Sequence, residues 1–187
     1  MKRNEAISCV LSLLKREVVV AANGMISREA HAARDRTSNF YMLGSMGLAS
    51  SIALGIAVNK PSRKVVVLDG DGNVLMGLGA LAMAGNSQPK NLVHFVFDNE
   101  RYESTGGQPS ISNKIDLDKI ALASGYKQVF KVCTIAELKL ASKHVLANDG
   151  LSFVVVKVSA DDPKDGARRV SQSPIKIANR FIASVNL

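Results

Sequence analysis

The chain has 187 residues, the usual length of one domain that can bury a core of its own. Its content of 47% hydrophobic and 21% charged residues excludes a disordered chain. The net charge of +8 comes from scattered Lys and Arg, and the absence of Trp argues against a stacking platform for nucleic acid bases. The charge instead favours a small polyanionic ligand or an acidic partner chain.

The first segment, MKRNEAISCVLSLLKRE, predicts an amphipathic helix, because it lacks the small-residue cleavage site of a signal peptide. Cys9, Cys133 and the three histidines show no metal-ligand spacing. Two reduced thiols in a cytoplasmic protein are therefore expected. The uncharged stretch 40–59 is rich in Gly, Ala and Ser, so a loop and a buried helix are expected there and no membrane span.

Val-rich segments alternate with helical patterns along most of the chain. Strands are predicted at Glu17–Ala22, Lys64–Asp69, Leu92–Asp98, Gln128–Val132 and Ser152–Val158. Helices are predicted at Ile26–Ala33, Gly47–Val58, Val74–Ala84, Leu117–Ser124 and Ile135–Leu146. Because the strands are continuously apolar, both of their faces should be buried. This predicts an α/β fold of three α/β/α layers with a mostly parallel sheet, formed by a single domain over 1–187.

Two polar stretches interrupt this alternation. Residues 99–114 form a long loop that leaves the carboxyl end of a strand, where open α/β sheets bind ligands, so a functional role is expected. Residues 160–174 are expected to form a tail or an arm that contacts a partner, followed by a helix over Ile175–Val185.

The stretch VVVLDGDGN passes directly from an apolar strand into an acidic turn. Gly70 and Gly72 permit a sharp turn and a close approach of a ligand to the backbone. Asn73 is expected to begin a helix whose free N–H groups suit a phosphate. Asp71 would repel that phosphate unless a cation such as Mg²⁺ lay between them. Asp69 could instead cap the turn locally, and a plain Asp-Gly turn remains an alternative at this point.

A second oxygen ligand follows the next strand. Asp98 and Asn99 lie about 26 residues after Gly72, which is one βαβ unit. The two strand ends should therefore lie side by side, so that Asn99 can offer its amide oxygen to the same cation. A carbonyl of the following loop could complete the protein ligands.

The segment GLGALA, residues 77–82, matches the glycine pattern of dinucleotide-binding proteins. That pattern requires its first glycine at the turn between strand and helix, whereas Gly77 lies inside the predicted helix. These glycines are therefore expected to permit close packing, and the dinucleotide interpretation fails on position.

Three segments together carry a family resemblance: NFYMLGSMGLASSIALGIA, LDGDGNVLMGLGALAMAG and DNERYESTGGQPSIS. Over residues 17–160 the chain resembles the C-terminal, diphosphate-binding half of the phosphonopyruvate and sulfopyruvate decarboxylases. The resemblance implies a thiamin-diphosphate-binding fold. It also implies an enzyme whose cofactors are thiamin diphosphate and Mg²⁺. Such enzymes use two α/β domains, and a short separate chain of this kind is most similar to the β subunit of sulfopyruvate decarboxylase.

The resemblance also implies roles for individual residues. The Mg²⁺ ligands would be the Asp71 and Asn99 side chains and the Arg101 carbonyl. Contacts with the cofactor would come from Asn23, Gly24, Gly44, Ser45, Met46, Gly72 and Asn73, with the Gly44 carbonyl accepting from the aminopyrimidine. Met46 would hold the cofactor bent. Asn23 replaces the hydroxyl residue that relatives often have, and Asp98 replaces the first Asn of the usual pair.

The implied reaction is non-oxidative decarboxylation of a small anionic 2-oxo acid. Glu103, Ser104 and Thr105 are candidates for closing over the substrate. No catalytic acid or base is expected in this chain, because the glutamate that activates the cofactor belongs to the pyrimidine domain. A pyrimidine-domain α subunit is therefore the expected partner, together with self-association, and neither nucleic acid nor membrane is expected.

Other functions remain open at this stage. Within the same class, the chain could belong to a phosphonopyruvate decarboxylase or be a fragment of one. It could also be a subunit of an oxidoreductase or of an acetolactate synthase. A non-catalytic cofactor-binding module or a dinucleotide binder would represent a different class.

Overall fold

A computed structural model describes residues 1–159 and 167–186 of the chain. In chain order the strands are β1 (Val18–Ala21), β2 (Asn39–Tyr41), β3 (Val65–Gly70), β4 (Leu92–Asp98), β5 (Arg101–Tyr102), β6 (Gln108–Pro109), β7 (Gln128–Val132) and β8 (Ser152–Lys157). Six of them form one sheet in the order β2-β1-β3-β4-β8-β7, with every neighbouring pair parallel. The strands β5 and β6 form a separate antiparallel hairpin.

Helices flank the sheet. They are α1 (Arg3–Leu13), α2 (Met25–Ala33), α3 (Ala49–Asn59), α4 (Asp71–Met76), α5 (Gly79–Ser87), α6 (Leu117–Ala123), α7 (Ile135–Ala147) and α8 (Pro174–Val185). Helix α1 packs against α2 and α7, α3 packs against α5 and the central strands, and α8 lies against β2. The expected three-layer α/β/α architecture with a parallel sheet is confirmed.

The Val-rich strands are buried as predicted. Every residue of β1 and β4 is buried, and so are the first five residues of β3 and of β8. Parallel strands covered by helices on both faces have no solvent side, which explains why these segments show no polar alternation. The five predicted strands agree with the observed ones to within one residue at each end.

The structure differs from the sequence-based expectations in several elements. The edge strand β2 was missed because it contains only three residues, at the start of a long uncharged run. The single helix expected over Val74–Ala84 is two helices, since α4 ends before Gly77, whose backbone lies against the Gly47 carbonyl. Helix α4 begins at Asp71 rather than at Asn73.

The polar segment 99–114 has more structure than a simple loop. It contains the β5–β6 hairpin and two 3₁₀ turns, Glu103–Thr105 and Ile111–Asn113. Of the tail or arm predicted at 160–174, residues 160–166 lie outside the described part of the chain, whereas the helix predicted after it is present as α8. Among the helices of 1–159 and 167–186, none is long and apolar enough to cross a membrane.

Helix α5 offers a matched pair of glycines for a stability prediction. A Cβ at Gly85 would overlap the carbonyl oxygen of Ser124, whereas a Cβ at Gly79 would meet no atom within 4 Å. We expect Gly85→Ala to lower the free energy of unfolding by roughly 1–3 kcal/mol through overpacking. We expect Gly79→Ala to raise it by up to about 1 kcal/mol, since alanine is the better helix former. Urea denaturation of both variants measures the difference, and equal stabilities would contradict the close approach at Gly85.

Candidate functional site

A cleft opens at the carboxyl ends of the central strands. Strand β1 has β2 on one side and β3 on the other, so the chain reverses its winding direction between β1 and β3. In open α/β sheets, ligands bind in the crevice at such a switch point. The segments that leave β1, β3 and β4 all line the cleft.

Most of the residues predicted for the site line this cleft. They are Asn23, Gly24, Met46, Asp71, Gly72, Asn73, Asn99, Arg101, Glu103, Ser104 and Thr105. Gly44 and Ser45 do not line it; they line a neighbouring apolar groove that also contains Leu48 and Ile177. The cleft lining also includes Arg3 and Tyr102, which the sequence did not single out.

Asp71 is a buried carboxylate that has no cationic side-chain partner among the described residues. Its side chain is buried at 2% exposure, and its Oδ2 accepts hydrogen bonds from the hydroxyls of Ser110 and Ser112. Within residues 1–159 and 167–186, no Lys, Arg or His forms an ion pair with it. Burial, followed by repulsion from Asp98, raises the pKa of Asp71 above its ordinary value. A bound cation would remove this cost, so the residue fits a metal ligand.

The neighbouring acids Asp69 and Asp98 each have a basic side chain as a partner, in contrast to Asp71. Oδ2 of Asp98 accepts from Lys157 Nζ at 2.8 Å, and its Oδ1 lies 2.7 Å from the Ser112 hydroxyl, whose single proton it shares with Asp71. Asp69 lies 3.1 Å from His94 Nε2 through its Oδ2, and its Oδ1 accepts from the Gly70 amide. The contacts of Asp69 therefore stabilise the end of β3.

Asn99 presents its amide in a defined orientation. Its Oδ1 accepts from the Arg101 backbone N–H at 3.1 Å, and its Nδ2 donates to Glu103 Oε2 at 2.8 Å. An amide oxygen has a second lone pair, which can face a cation in the cleft. Glu100, between Asn99 and Arg101, has a φ of 60°, and this left-handed turn forms the tight bend that follows β4.

No group of three His, Cys, Asp or Glu side chains in the described residues is arranged to hold a metal ion. A cation at Asp71 would therefore need ligands of other kinds. The Asn99 amide, a backbone carbonyl and phosphate oxygens of a ligand are ligands that Mg²⁺ accepts. This donor set fits a metal that bridges the protein and a diphosphate, and does not fit an all-protein metal cage.

Gly72 makes close contact with Tyr102 at the floor of the cleft. A Cβ at Gly72 would overlap the Tyr102 ring and would lie 3.2 Å from Met46 Cε. Only glycine therefore allows the β5 segment and Met46 to close on this backbone. Met46 lies beside Gly72 on the cleft wall, which is where an apolar side chain could support a ligand from below.

The side chain of Asn73 is occupied within the protein. Its Oδ1 accepts from the backbone N–H of Gly47 at 3.0 Å, which ties the 44–47 segment to the start of α4. Asn23 shows the opposite situation, because its Oδ1 is buried and has no hydrogen-bond partner among the described residues. An unsatisfied acceptor in the cleft wall fits a ligand donor.

Of the three substrate candidates, Glu103 is already paired. Its carboxylate receives two hydrogen bonds from the Arg3 guanidinium, at 2.5 and 2.9 Å, and a third from Asn99. The Thr105 hydroxyl donates within its own turn to the Tyr102 carbonyl at 3.3 Å. Ser104 faces Gly24 across the cleft. The Ser104 hydroxyl is thus better placed for a ligand than the Glu103 carboxylate or the Thr105 hydroxyl.

Comparison with known proteins identifies the class. The family described as "Thiamine pyrophosphate enzyme, C-terminal TPP binding domain" matches residues 22–156. The chain is 42% identical to a phosphonopyruvate decarboxylase of Streptomyces viridochromogenes, over 98% of this chain and 46% of that protein. It is 40% identical to the sulfopyruvate decarboxylase subunit beta of Methanothermobacter thermautotrophicus, over 99% of this chain and 96% of that subunit.

A solved benzoylformate decarboxylase from Polynucleobacter necessarius has the same fold, with a TM-score of 0.68 and 22% identity over 85% of this chain. The chain covers 33% of that structure and less than half of the phosphonopyruvate decarboxylase. It belongs to the thiamine pyrophosphate enzymes, as a C-terminal TPP-binding domain. Within that family it is similar over nearly its whole length to sulfopyruvate decarboxylase β subunits.

The hydrogen bonds of two serines to Asp71 can be tested for their contribution to metal affinity. Ser110 and Ser112 follow the β5–β6 hairpin, and both hydroxyls hydrogen-bond to Oδ2 of Asp71. These two bonds fix the carboxylate and so set the direction of its second oxygen, Oδ1. Loss of groups that orient a metal ligand typically costs about 10-fold or more in metal affinity. We expect Ser110→Ala and Ser112→Ala each to weaken Mg²⁺ binding by about this factor, measured by calorimetry with thiamin diphosphate present. Wild-type affinity in both would contradict the orienting role.

Proposed function

We propose that the chain is the diphosphate-binding subunit of a thiamin-diphosphate- and Mg²⁺-dependent 2-oxo acid decarboxylase. The best-supported activity is that of a sulfopyruvate decarboxylase β subunit, which converts sulfopyruvate to sulfoacetaldehyde and CO₂. The observation that carries the proposal is the buried carboxylate of Asp71, which pairs with no Lys, Arg or His of the described residues and lines the same cleft as Asn99 at the switch point of the sheet. The near-complete match to β subunits supports the choice of enzyme.

In this proposal, Asp71, Asn99 and the Arg101 carbonyl hold Mg²⁺, and the ion neutralises the diphosphate. The backbone at Gly72 and the start of α4 approach the phosphate oxygens closely because no side chain intervenes. The cofactor, when bound, supplies the electron sink that makes loss of CO₂ from a 2-oxo acid feasible. The protein residues bind, orient and shield it from water.

The remaining cofactor contacts are assigned by their position around the cleft. Met46 supports the cofactor from the cleft wall, next to Gly72. Gly24, with a φ of 81°, shapes the turn that follows β1, and the free Oδ1 of Asn23 accepts from the ligand. Gly44 and Ser45 reach the cofactor only at its pyrimidine end, since they lie in the adjoining groove.

The anionic head group of the substrate is assigned to the 103–105 turn. Ser104 and Thr105 line the cleft, and Ser104 supplies the hydroxyl donor, because the Thr105 hydroxyl donates to the Tyr102 carbonyl. The net positive charge of the chain would attract an anionic acid. Glu103 holds this turn in place through Arg3 rather than meeting the substrate.

A second chain completes the active site in this proposal. No residue of the cleft is assigned as the acid or base that activates the cofactor, and a glutamate of a pyrimidine-domain α subunit supplies it. Large apolar side chains of α4 and α5 are exposed, among them Met76 at 68% and Met83 at 60%. Such a surface fits burial by the α subunit or by a second copy of this chain. The free thiols of Cys9 and Cys133 support a cytoplasmic location.

The alternative substrate is phosphonopyruvate, because a phosphonopyruvate decarboxylase is 42% identical to this chain. Sulfonate and phosphonate are both tetrahedral anions, so the same hydroxyl suits either. Co-expression with a pyrimidine-domain chain, followed by assay of CO₂ release from sulfopyruvate and phosphonopyruvate, separates the two. Release from sulfopyruvate alone supports the first assignment, release from phosphonopyruvate alone supports the second, and release from neither overturns the proposed activity.

A further inference from the structure

We infer that Arg3, in the N-terminal helix and outside the segment matched by the family, positions Asn99 through Glu103. Arg3 does not touch the candidate metal. It is a positioning residue whose guanidinium fixes the carboxylate that in turn fixes the Asn99 amide. The consequence for metal binding rests on the function proposed above.

The contacts form a continuous chain from helix α1 to the cleft. Arg3 Nη2 and Nε donate to the two carboxylate oxygens of Glu29, at 2.6 and 3.0 Å. Arg3 Nη1 and Nη2 donate to the two carboxylate oxygens of Glu103, at 2.5 and 2.9 Å. Glu103 Oε2 then accepts from Asn99 Nδ2 at 2.8 Å. One guanidinium thus holds two carboxylates, and the second of them holds the amide.

This arrangement is buried and depends on its charges. The side chains of Arg3, Glu29 and Glu103 are exposed by 4%, 5% and 8%. Burial opposes the charge of Arg3, but the bonds to Glu103 and Glu29 prevail and raise its pKa further above its ordinary value. Without Arg3, the buried Glu103 carboxylate would lose its cationic partner, so it would leave its present position.

The Asn99 amide has two ends with opposite hydrogen-bonding roles. Nδ2 can only donate and Oδ1 can only accept, so an acceptor at Glu103 selects the orientation in which Oδ1 faces away from Glu103. Oδ1 accepts from the Arg101 backbone N–H and keeps one lone pair for a cation. If Glu103 moved, Nδ2 would lose the partner that sets this orientation.

A purely structural link between α1 and α2 would need only the Arg3–Glu29 pair. The second carboxylate belongs to a different element, the 3₁₀ turn that follows β5, and it lines the cleft. Arg3 itself also lines the cleft. The pairing therefore joins the first helix of the chain to the candidate metal ligand.

The test compares Arg3→Met and Arg3→Lys with Arg180→Met. Arg180 makes a similar two-bonded pair with Asp35, but that pair lies between α8 and the β2 region, away from the cleft. The first readout is the side-chain NH₂ signal of Asn99 in nitrogen-15 NMR of the full chain without ligand. The second readout is Mg²⁺ affinity with thiamin diphosphate present, measured by calorimetry on the chain joined by its partner.

We expect both Arg3 variants to shift the Asn99 signal and to weaken Mg²⁺ binding by about 10-fold, as for other groups that orient a ligand. Arg3→Lys keeps the buried charge and guards against a folding failure of Arg3→Met, yet it cannot form both two-bonded pairs. Arg180→Met is expected to change neither readout.

An unmoved Asn99 signal, or unchanged Mg²⁺ affinity, in a folded Arg3 variant overturns the inference. The two proposals fail separately. If the wild-type protein binds neither Mg²⁺ nor thiamin diphosphate, the proposed function fails, and a shifted Asn99 signal still supports the contact through Glu103.

Discussion

Asp71→Asn is expected to abolish Mg²⁺-dependent binding of thiamin diphosphate. The substitution preserves the shape of the side chain and removes the negative charge that attracts Mg²⁺ to a position beside a diphosphate. Groups that only orient a metal ligand are worth about 10- to 100-fold in affinity, so losing the charged ligand itself should cost roughly 100-fold or more. Calorimetry of the wild-type and variant proteins with thiamin diphosphate at fixed Mg²⁺ measures the loss.

The matched control for this prediction is Asp69→Asn. Asp69 is buried, lies two residues earlier, in β3, and pairs with His94 rather than lining the cleft. It should lower thermal stability and leave cofactor affinity within about 3-fold of wild type. Equal losses of affinity in both variants would show that Asp71 acts through folding and would contradict its role as a metal ligand.

The second prediction concerns the chain in the absence of a partner. The purified chain is expected to release no measurable CO₂ from sulfopyruvate or phosphonopyruvate, because no group in its cleft is assigned to activate the cofactor. General acid–base groups contribute about 100- to 10,000-fold to a rate, so their absence is a large effect. Addition of a pyrimidine-domain chain should restore turnover.

A control for this assay replaces the assigned glutamate of that partner by glutamine, and the mixture should then remain inactive. Turnover by the chain alone, in a preparation shown by mass spectrometry to contain no second protein, would contradict the split active site. Self-association alone would then have to complete the site.

The sequence predicted that Asp71 and Asn99 lie in one cleft because both residues follow strands. Asp71 comes directly after β3 and Asn99 directly after β4, and parallel neighbours place their carboxyl ends together. The composition of each strand was sufficient to predict burial on both faces. The observed sheet is parallel and its central strands are buried, which confirms both expectations.

Contacts between distant segments could not be predicted in this way. Arg3 reaches Glu103 across 100 positions, and Ser110 reaches Asp71 across 39. Neither spacing corresponds to a helical or strand period, and each pair meets only because the sheet and the β5–β6 hairpin place them together. The motif PSIS around Ser110 offered no strand period either, because Ser112 lies in the 3₁₀ turn Ile111–Asn113.

The role of Glu103 could not be predicted from the sequence for the same reason. An acidic residue in a polar loop gave no sign of its buried cationic partner in the first helix. The short strand β2 was hidden because three residues carry too little periodicity to predict an element.

The most direct test of the central claim is a titration of thiamin diphosphate into the chain joined by its pyrimidine-domain partner. It is performed by calorimetry with Mg²⁺, without Mg²⁺, and with NAD⁺ in place of thiamin diphosphate. The account predicts one thiamin diphosphate per chain, bound only when Mg²⁺ is present, and no binding of NAD⁺. Binding of NAD⁺, or thiamin diphosphate binding that is indifferent to Mg²⁺, would contradict it.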